Sequence, residues 1–143
     1  MFEPHTPKAQ PGDYYWLGAG FFNHQRASTI YIFAYRIKSL PGGVYPFEDL
    51  GVSPVALPKG SWMPFANHGQ MDTPLFLKDS NGKEKLVLGV TVLANTVGAK
   101  ARKPGGYIYV YGVRGDKKEL LVARVQDRAF EDFSQWRYLD GST

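Results

Sequence analysis

Apolar and polar positions alternate with period two along much of the chain, and clusters of glycine, proline and small polar residues break the alternation at short intervals. That pattern predicts short strands joined by turns rather than helices. The segment TIYIFAYRI, Thr29 to Ile37, places Ile30, Ile32, Ala34 and Arg36 on one face and Tyr31, Phe33, Tyr35 and Ile37 on the other. Apolar residues on both faces predict a strand covered on both sides, as in stacked sheets. The segment GGYIYVYGVRGDKKELLVARV, Gly105 to Val125, reads as strand, tight turn and strand. Tyr107, Tyr109, Tyr111 and Val113 face one way, and Ile108 and Val110 the other. The returning strand sets Leu120 and Val122 opposite Leu121, Ala123 and Val125. A hairpin alone is marginal in water, so it must belong to a larger sheet.

The remaining elements follow from the same signals. Asp13 to Phe22 predicts a strand with a Gly-Ala-Gly bend, and polar Asn23 to Ser28 a turn. Leu40 to Gly43 breaks the chain, and Phe47 to Leu50 predicts a short helical turn or a bulge. Val52 to Leu57 contains Pro54, which has no N–H for a ladder, so a strand there should lie at an edge. Pro58 to Gly69 is irregular and holds Trp62, Phe65 and His68; loops rich in aromatic residues plug a core or line a site. Thr73 to Lys78 predicts a short strand, Asp79 to Gly82 a turn, and Lys85 to Leu93 the most apolar and hence central strand. Ala94 to Pro104 is a polar, basic loop. Asp127 to Gln135 predicts one short helical turn capped by Asp132 or Ser134, and Trp136 to Leu139 a closing strand.

Lys85 to Leu139 is then a four-stranded antiparallel succession of roughly 40–50 residues, the size of one propeller blade. Asp13 to Leu57 looks like a looser copy of the last three strands of such a blade. No clean sequence repeat links the two, so the blade reading rests on strand order. The expected fold is one all-β domain over residues 1–143, a partial propeller with approximate blades 13–58 and 72–141; a β-sandwich of the same strands is the alternative.

Composition agrees and excludes a few classes. Nine Tyr, nine Phe and three Trp, with sixteen Gly and ten Pro among 143 residues, favour strands and turns. Cysteine is absent, which removes disulfides, thiolate metal sites and cysteine nucleophiles. The start, MFEPHTPKAQPGD, lacks the apolar run of a signal peptide, and no stretch approaches the ~18 apolar residues of a membrane span, so no membrane partner is expected. The formal charge is +4, but the basic residues are scattered. Binding of single-stranded nucleic acid through tyrosine stacking is therefore only a lesser alternative.

YYWLGAG, FEDLG, GYIYVYGVR, LLVARV and FEDFSQWRYLDG occur in that order between Asp13 and Gly141. Together they resemble domain-of-unknown-function proteins of the DUF4185 and DUF5005 type, which look like five-bladed β-propeller glycoside hydrolases. The most specific part is YVYGVR, then LLVARV, then WRYLDG. The resemblance implies a glycoside hydrolase-like protein that acts on or binds a polysaccharide or oligosaccharide, with furanosides such as arabinan in view. It also implies an extracellular or periplasmic location. The sequence departs from such proteins in two respects. At ~45 residues per blade five blades need on the order of 250 residues, so the chain should correspond to about two internal blades, completed by further chain or by homo-oligomerisation. Ala19 also stands in the Trp-x-Gly-x-Gly bend where similar proteins often carry an acidic residue.

Glycoside hydrolysis needs two carboxyl groups flanking the scissile bond. Asp79, Asp116 and Asp140 read as turn residues, and Glu48 and Asp49 as a cap or bulge before Gly51. Asp72 follows NHGQM and opens a strand beside the aromatic loop, which makes it the catalytic candidate, although it also suits a cap before Pro74. His68 is a candidate sugar ligand beside it. Asn95 and Thr96, at the end of the most apolar strand, and Arg102 in the following loop are candidates for binding sugar hydroxyls, and Trp62 and Trp16 for stacking on a sugar ring. Trp136 reads as a packing residue. His5, His24 and His68 have no metal-ligand spacing, and neither a nucleophile elbow nor a phosphate loop is present, so no metal and no cofactor is expected. Whether the protein is an enzyme stays open at this point; the rival is a non-catalytic carbohydrate-binding or assembly module.

Overall fold

The computed structural model describes residues 2–60, 68–79, 81 and 84–139. Strand accounts for 52% of it, so the protein is all-β. Among the described residues the helical turns are two 3-10 turns of three residues, Asp127–Ala129 and Phe133–Gln135. Sheet 1 contains β1 (Tyr14–Asn23), β2 (Thr29–Ser39), β3 (Phe47–Leu57) and β4 (Gly69–Gln70). Sheet 2 contains β5 (Phe76–Lys78), β6 (Lys85–Asn95), β7 (Tyr107–Arg114), β8 (Glu119–Gln126) and β9 (Arg137–Leu139). Both run in chain order with antiparallel neighbours. They are two successive meanders, as the period-two pattern and short turns require.

Two expectations are refined. Residues 47–50 do not form a helical turn; they begin β3, and the irregularity there is a bulge at Leu50, where Arg36 pairs with Gly51 but Ile37 with Asp49. Pro54 is tolerated because β4 pairs only with Val55 and Ala56, leaving the β3 edge open beside the proline. β6 lies between β5 and β7, in keeping with its apolar sequence.

The sheets pack face to face. Phe21, Tyr31, Phe33 and Val52 of sheet 1 meet Leu88, Ile108, Val110, Ala123 and Val125 of sheet 2. Phe130, from the 3-10 segment after β8, is fully buried between them, with ring centroids 4.4 Å from Tyr31, 4.8 Å from Phe21 and 5.5 Å from Trp136. Burial of a side chain of this size contributes about 2–3 kcal/mol. Trp136 packs as expected and donates its Nε1–H to the Phe130 carbonyl at 3.0 Å. Close approach of β7 to β6 requires Gly112, since a Cβ there would lie 2.0 Å from the Val87 carbonyl oxygen.

The other face of sheet 1 is partly covered by residues 2–13. Phe2 packs on Tyr15, Ala34 and Val55. Arg36 pairs with Asp13 at 3.2 Å and donates to the Lys8 carbonyl. This explains why β2 is buried on both faces around Phe33–Ile37.

Once the registers are known, an internal repeat that was not apparent in the linear sequence emerges. Leu17 pairs with Ala34 in sheet 1, and Leu88 with Gly112 in sheet 2. Placing those pairs in correspondence matches Y-I-F-A-Y-R (Tyr31–Arg36) to Y-V-Y-G-V-R (Tyr109–Arg114), and the Leu17-Gly18 step to Leu88-Gly89. Both inner strands carry a bulge directly after that leucine, between Leu17 and Gly20 and between Leu88 and Thr91. β6 is one residue longer, and Asn23 and Asn95 end the two strands. The corresponding residues face opposite ways relative to the shared core. Tyr31 and Phe33 point into it, whereas Tyr109 and Tyr111 are half-buried on the far side of sheet 2. Two sheets related by a dyad would both turn equivalent faces inward. Equivalent faces that point the same way round an axis are the relation of consecutive propeller blades, so the fold is propeller-like.

Candidate inter-sheet cleft

The residues nominated from sequence fall into two separated groups. Asp72 accepts hydrogen bonds at both carboxylate oxygens, from the Thr6 hydroxyl at 2.7 Å and the Lys8 amide at 3.0 Å, and so fastens the N-terminal segment to sheet 1. His68 lies beside it in the chain, in ring contact with Phe2 and His5. The Gln70 side-chain amide nitrogen stands 3.0 Å from His68 Nε2.

Asn95 and Thr96 sit at the opposite end of β6. The Asn95 carbonyl accepts from Gly105 and Gly106, and the buried Thr96 hydroxyl accepts from the Ala99 amide at 3.1 Å, so both shape the loop that carries exposed Arg102. The Leu88 amide donates to the carbonyl of Leu75, just ahead of β5, and Asn95 lies seven positions beyond Leu88 along β6, on the order of 20 Å. Asp72 and Asn95 therefore do not converge on one ligand. Trp62 lies outside the described residues.

Polar groups converge instead where the two bulged strands abut. The bulges at Gly18 and Gly89 touch: a Cβ on Gly18 would lie 3.0 Å from the Gly89 carbonyl oxygen. Beside them a cavity of about 500 Å³ opens between the sheets, lined among others by Trp16, Tyr35, Asp49, Lys85, Asp116 and Lys118. The Leu50 bulge supplies one of its key groups. In a regular ladder Leu50 would oppose Ile37 and Asp49 would point away; the extra residue turns Asp49 onto the Tyr35 face. There Asp49 forms an ion pair with Lys85 across the sheets. Trp16, the ladder partner of Tyr35, is partly exposed and braced edge-on by Phe47 at 4.4 Å. The β7–β8 turn brings Asp116 and Lys118 to the rim.

The Tyr35 hydroxyl is the unusual group. It is buried with no hydrogen-bond partner among the described residues, a state that costs about 1–3 kcal/mol unless a partner arrives. Burial, and then the Asp49 charge, push its pKa up to about 12, so at neutral pH it is a hydroxyl able to donate and accept. An aromatic wall, an uncommitted phenol and a fixed pair of opposite charges form a set suited to a polyhydroxylated ligand. The carboxylates of Asp49 and Asp116 share the cleft.

A larger groove of about 630 Å³ lies on sheet 2 between Leu77, Leu86, Leu121 and Tyr138. Its Arg114 and Glu119 side chains are bound to each other at 2.7 Å. Among the described residues it lacks a buried polar group awaiting a partner, so it has nothing comparable to orient a ligand.

In the sequence Asp49 reads as a cap or bulge and Asp116 as a turn residue, and no local signal joins either to Lys85. The signal that could have found them is the FEDLG bulge beside an alternating strand. The fold thus defines a two-sheet, propeller-like β protein with an aromatic-walled cleft that carries an ion pair at the abutting inner strands. Comparison with protein-family models, with curated proteins and with solved structures finds no match to the chain.

Proposed function

We propose that the protein binds carbohydrate in the inter-sheet cleft, with Trp16 as the stacking platform and Tyr35, Asp49 and Lys85 as ligands to sugar hydroxyls. The observation that carries this reading is the buried, unpartnered Tyr35 hydroxyl beside a braced indole and an ion pair. A sugar hydroxyl satisfies the phenol, and a ring C–H face covers the indole. The resemblance to five-bladed glycoside hydrolases supports the same ligand class. Binding without cleavage is the better supported form, because Asp49 is engaged by Lys85 and Asp72 by the N-terminal segment. Hydrolysis is the second reading, favoured by Asp49 and Asp116 lining one cleft, since two carboxyl groups are what that chemistry requires.

Affinity electrophoresis and calorimetry against arabinan and other soluble polysaccharides test the proposal. Trp16→Ala should weaken binding by about tenfold, the order expected for one aromatic platform of roughly 1–1.5 kcal/mol. Retention of parental affinity by both Trp16→Ala and Tyr35→Phe would refute the site. Release of new reducing ends, lost in Asp116→Asn, would establish the hydrolytic reading instead.

A further inference from the structure

The internal repeat carries a consequence for the two outward faces of the molecule. The interface between the sheets is made by one face of the repeat in sheet 1 and the opposite face of the repeat in sheet 2. Each of those faces has a counterpart that is at least partly uncovered. Phe21 is 9% exposed in the interface, while Leu93, its counterpart by register, is 54% exposed on the far side of sheet 2. Val52 is 2% exposed and its counterpart Leu120 is 70% exposed. On the other partner, Leu88 is fully buried and its counterpart Leu17 is 55% exposed on the outward face of sheet 1. Ile108 is likewise buried, and its counterpart Ile30 is 40% exposed.

We infer that copies of this chain assemble head to tail, with the outward face of sheet 2 in one copy seated on the outward face of sheet 1 in the next. The contact would repeat the one that already joins the two sheets within a chain: Leu93, Tyr109, Tyr111 and Leu120 take the places of Phe21, Tyr31, Phe33 and Val52, and Leu17, Ile30 and Ile32 those of Leu88, Ile108 and Val110. The occupant is thus specified by continuity with an interface the structure contains, and contiguous apolar faces of this kind are rarely left to solvent. Residues 2–13 cover the part of sheet 1 around Tyr15, Ala34, Arg36 and Val55 and leave the part bearing Leu17, Phe22 and Ile30 open. Arg124, the counterpart of Ala56, lies over the Tyr107 ring, 4.7 Å from its centroid. Its charge is held along the sheet by that contact. A head-to-tail contact closes into a ring or runs into a filament. With two sheets per copy, rings of about two to four copies fall within the range of roughly 4–8 blades that propellers adopt.

Light scattering coupled to size exclusion tests the inference on the full chain. The parent should elute as an oligomer whose mass is a whole multiple of 16.0 kDa. Leu93→Glu and Leu17→Glu change exposed residues on opposite faces, so each should remain folded by circular dichroism and become monomeric. Mixed in equal amounts they should form a dimer of one copy of each, because the pair retains a single complementary interface. A parent that stays monomeric at every concentration overturns the inference. So does a variant that still self-associates alone, which would indicate a symmetric contact through one face, or a mixture that yields no dimer.

Discussion

Asp13→Ala removes one half of the most deeply buried ion pair among the described residues. The side chains of Arg36 and Asp13 are 7% and 1% exposed, and their contact is 3.2 Å. Asp13 also accepts from the Gln10 amide at 2.9 Å. With the carboxylate gone, the Arg36 guanidinium loses its charge partner and has no route to water beneath residues 2–13. Breaking a buried pair from one side costs about 3–5 kcal/mol. Arg36 keeps the Lys8 and Leu50 carbonyls as acceptors, although among the described residues its Nε has no partner even in the parent. The loss should therefore fall near the lower limit, about 3 kcal/mol, or a fall in Tm of roughly 10 °C for a domain of this size. Urea and thermal unfolding followed by circular dichroism measure it. The paired replacement Asp13→Leu with Arg36→Met should recover most of the loss, since a buried pair and apolar residues of similar volume are often close in stability. A cost below about 1 kcal/mol for Asp13→Ala would show that water reaches Arg36 and that residues 2–13 do not seal this face.

Asp72→Ala deletes the acceptor for Thr6 and Lys8 and should cost about 1–3 kcal/mol while making the N-terminal segment the first site of limited proteolysis; carbohydrate affinity should not change, and an affinity loss matching Trp16→Ala would place Asp72 in the ligand site. Tyr31 and Tyr35 are both pushed from 10.0 up to about 12, chiefly by burial. The folded state thus holds their protons more tightly than the unfolded one, so the associated stability is complete below pH 10 and is lost as pH rises from about 10 to 12. In an alkaline titration these two of the nine tyrosines should ionise last or together with unfolding; uniform titration near 10 in a still-folded protein would contradict their burial.

Much of the strand layout was legible in the sequence because it is local. Period-two alternation with apolar residues on both faces located β2, and alternation around the turn after Arg114 located β7 and β8, since side chains in extended chain must alternate sides whatever surrounds them. Pro54 marked an open edge through its missing donor. The two-residue β4 carried no such pattern, and the Leu50 bulge could be suspected but not oriented, because a bulge is defined by what the opposite strand does.

The candidate site was the least legible feature. Asp49 and Lys85 are 36 residues apart, and only the packing of sheet 1 beside sheet 2 brings them together. Asp72 looked chemical because it sits among aromatic and polar neighbours in the chain, yet both of its oxygens hold the N-terminal segment, a contact spanning more than sixty residues. The repeat illustrates the same division. Tyr31–Arg36 and Tyr109–Arg114 share their residue pattern in the sequence, but their kinship appears only when the ladders align Leu17 with Leu88 across bulges of different size. By itself the sequence determined which residues alternate and where the chain must turn, because backbone sterics and the burial of apolar side chains act over neighbouring residues. The tertiary structure alone decided which face of each sheet meets the other, which carboxylates are engaged, and which phenol is left without a partner, because those depend on desolvation and contact between segments far apart in the chain.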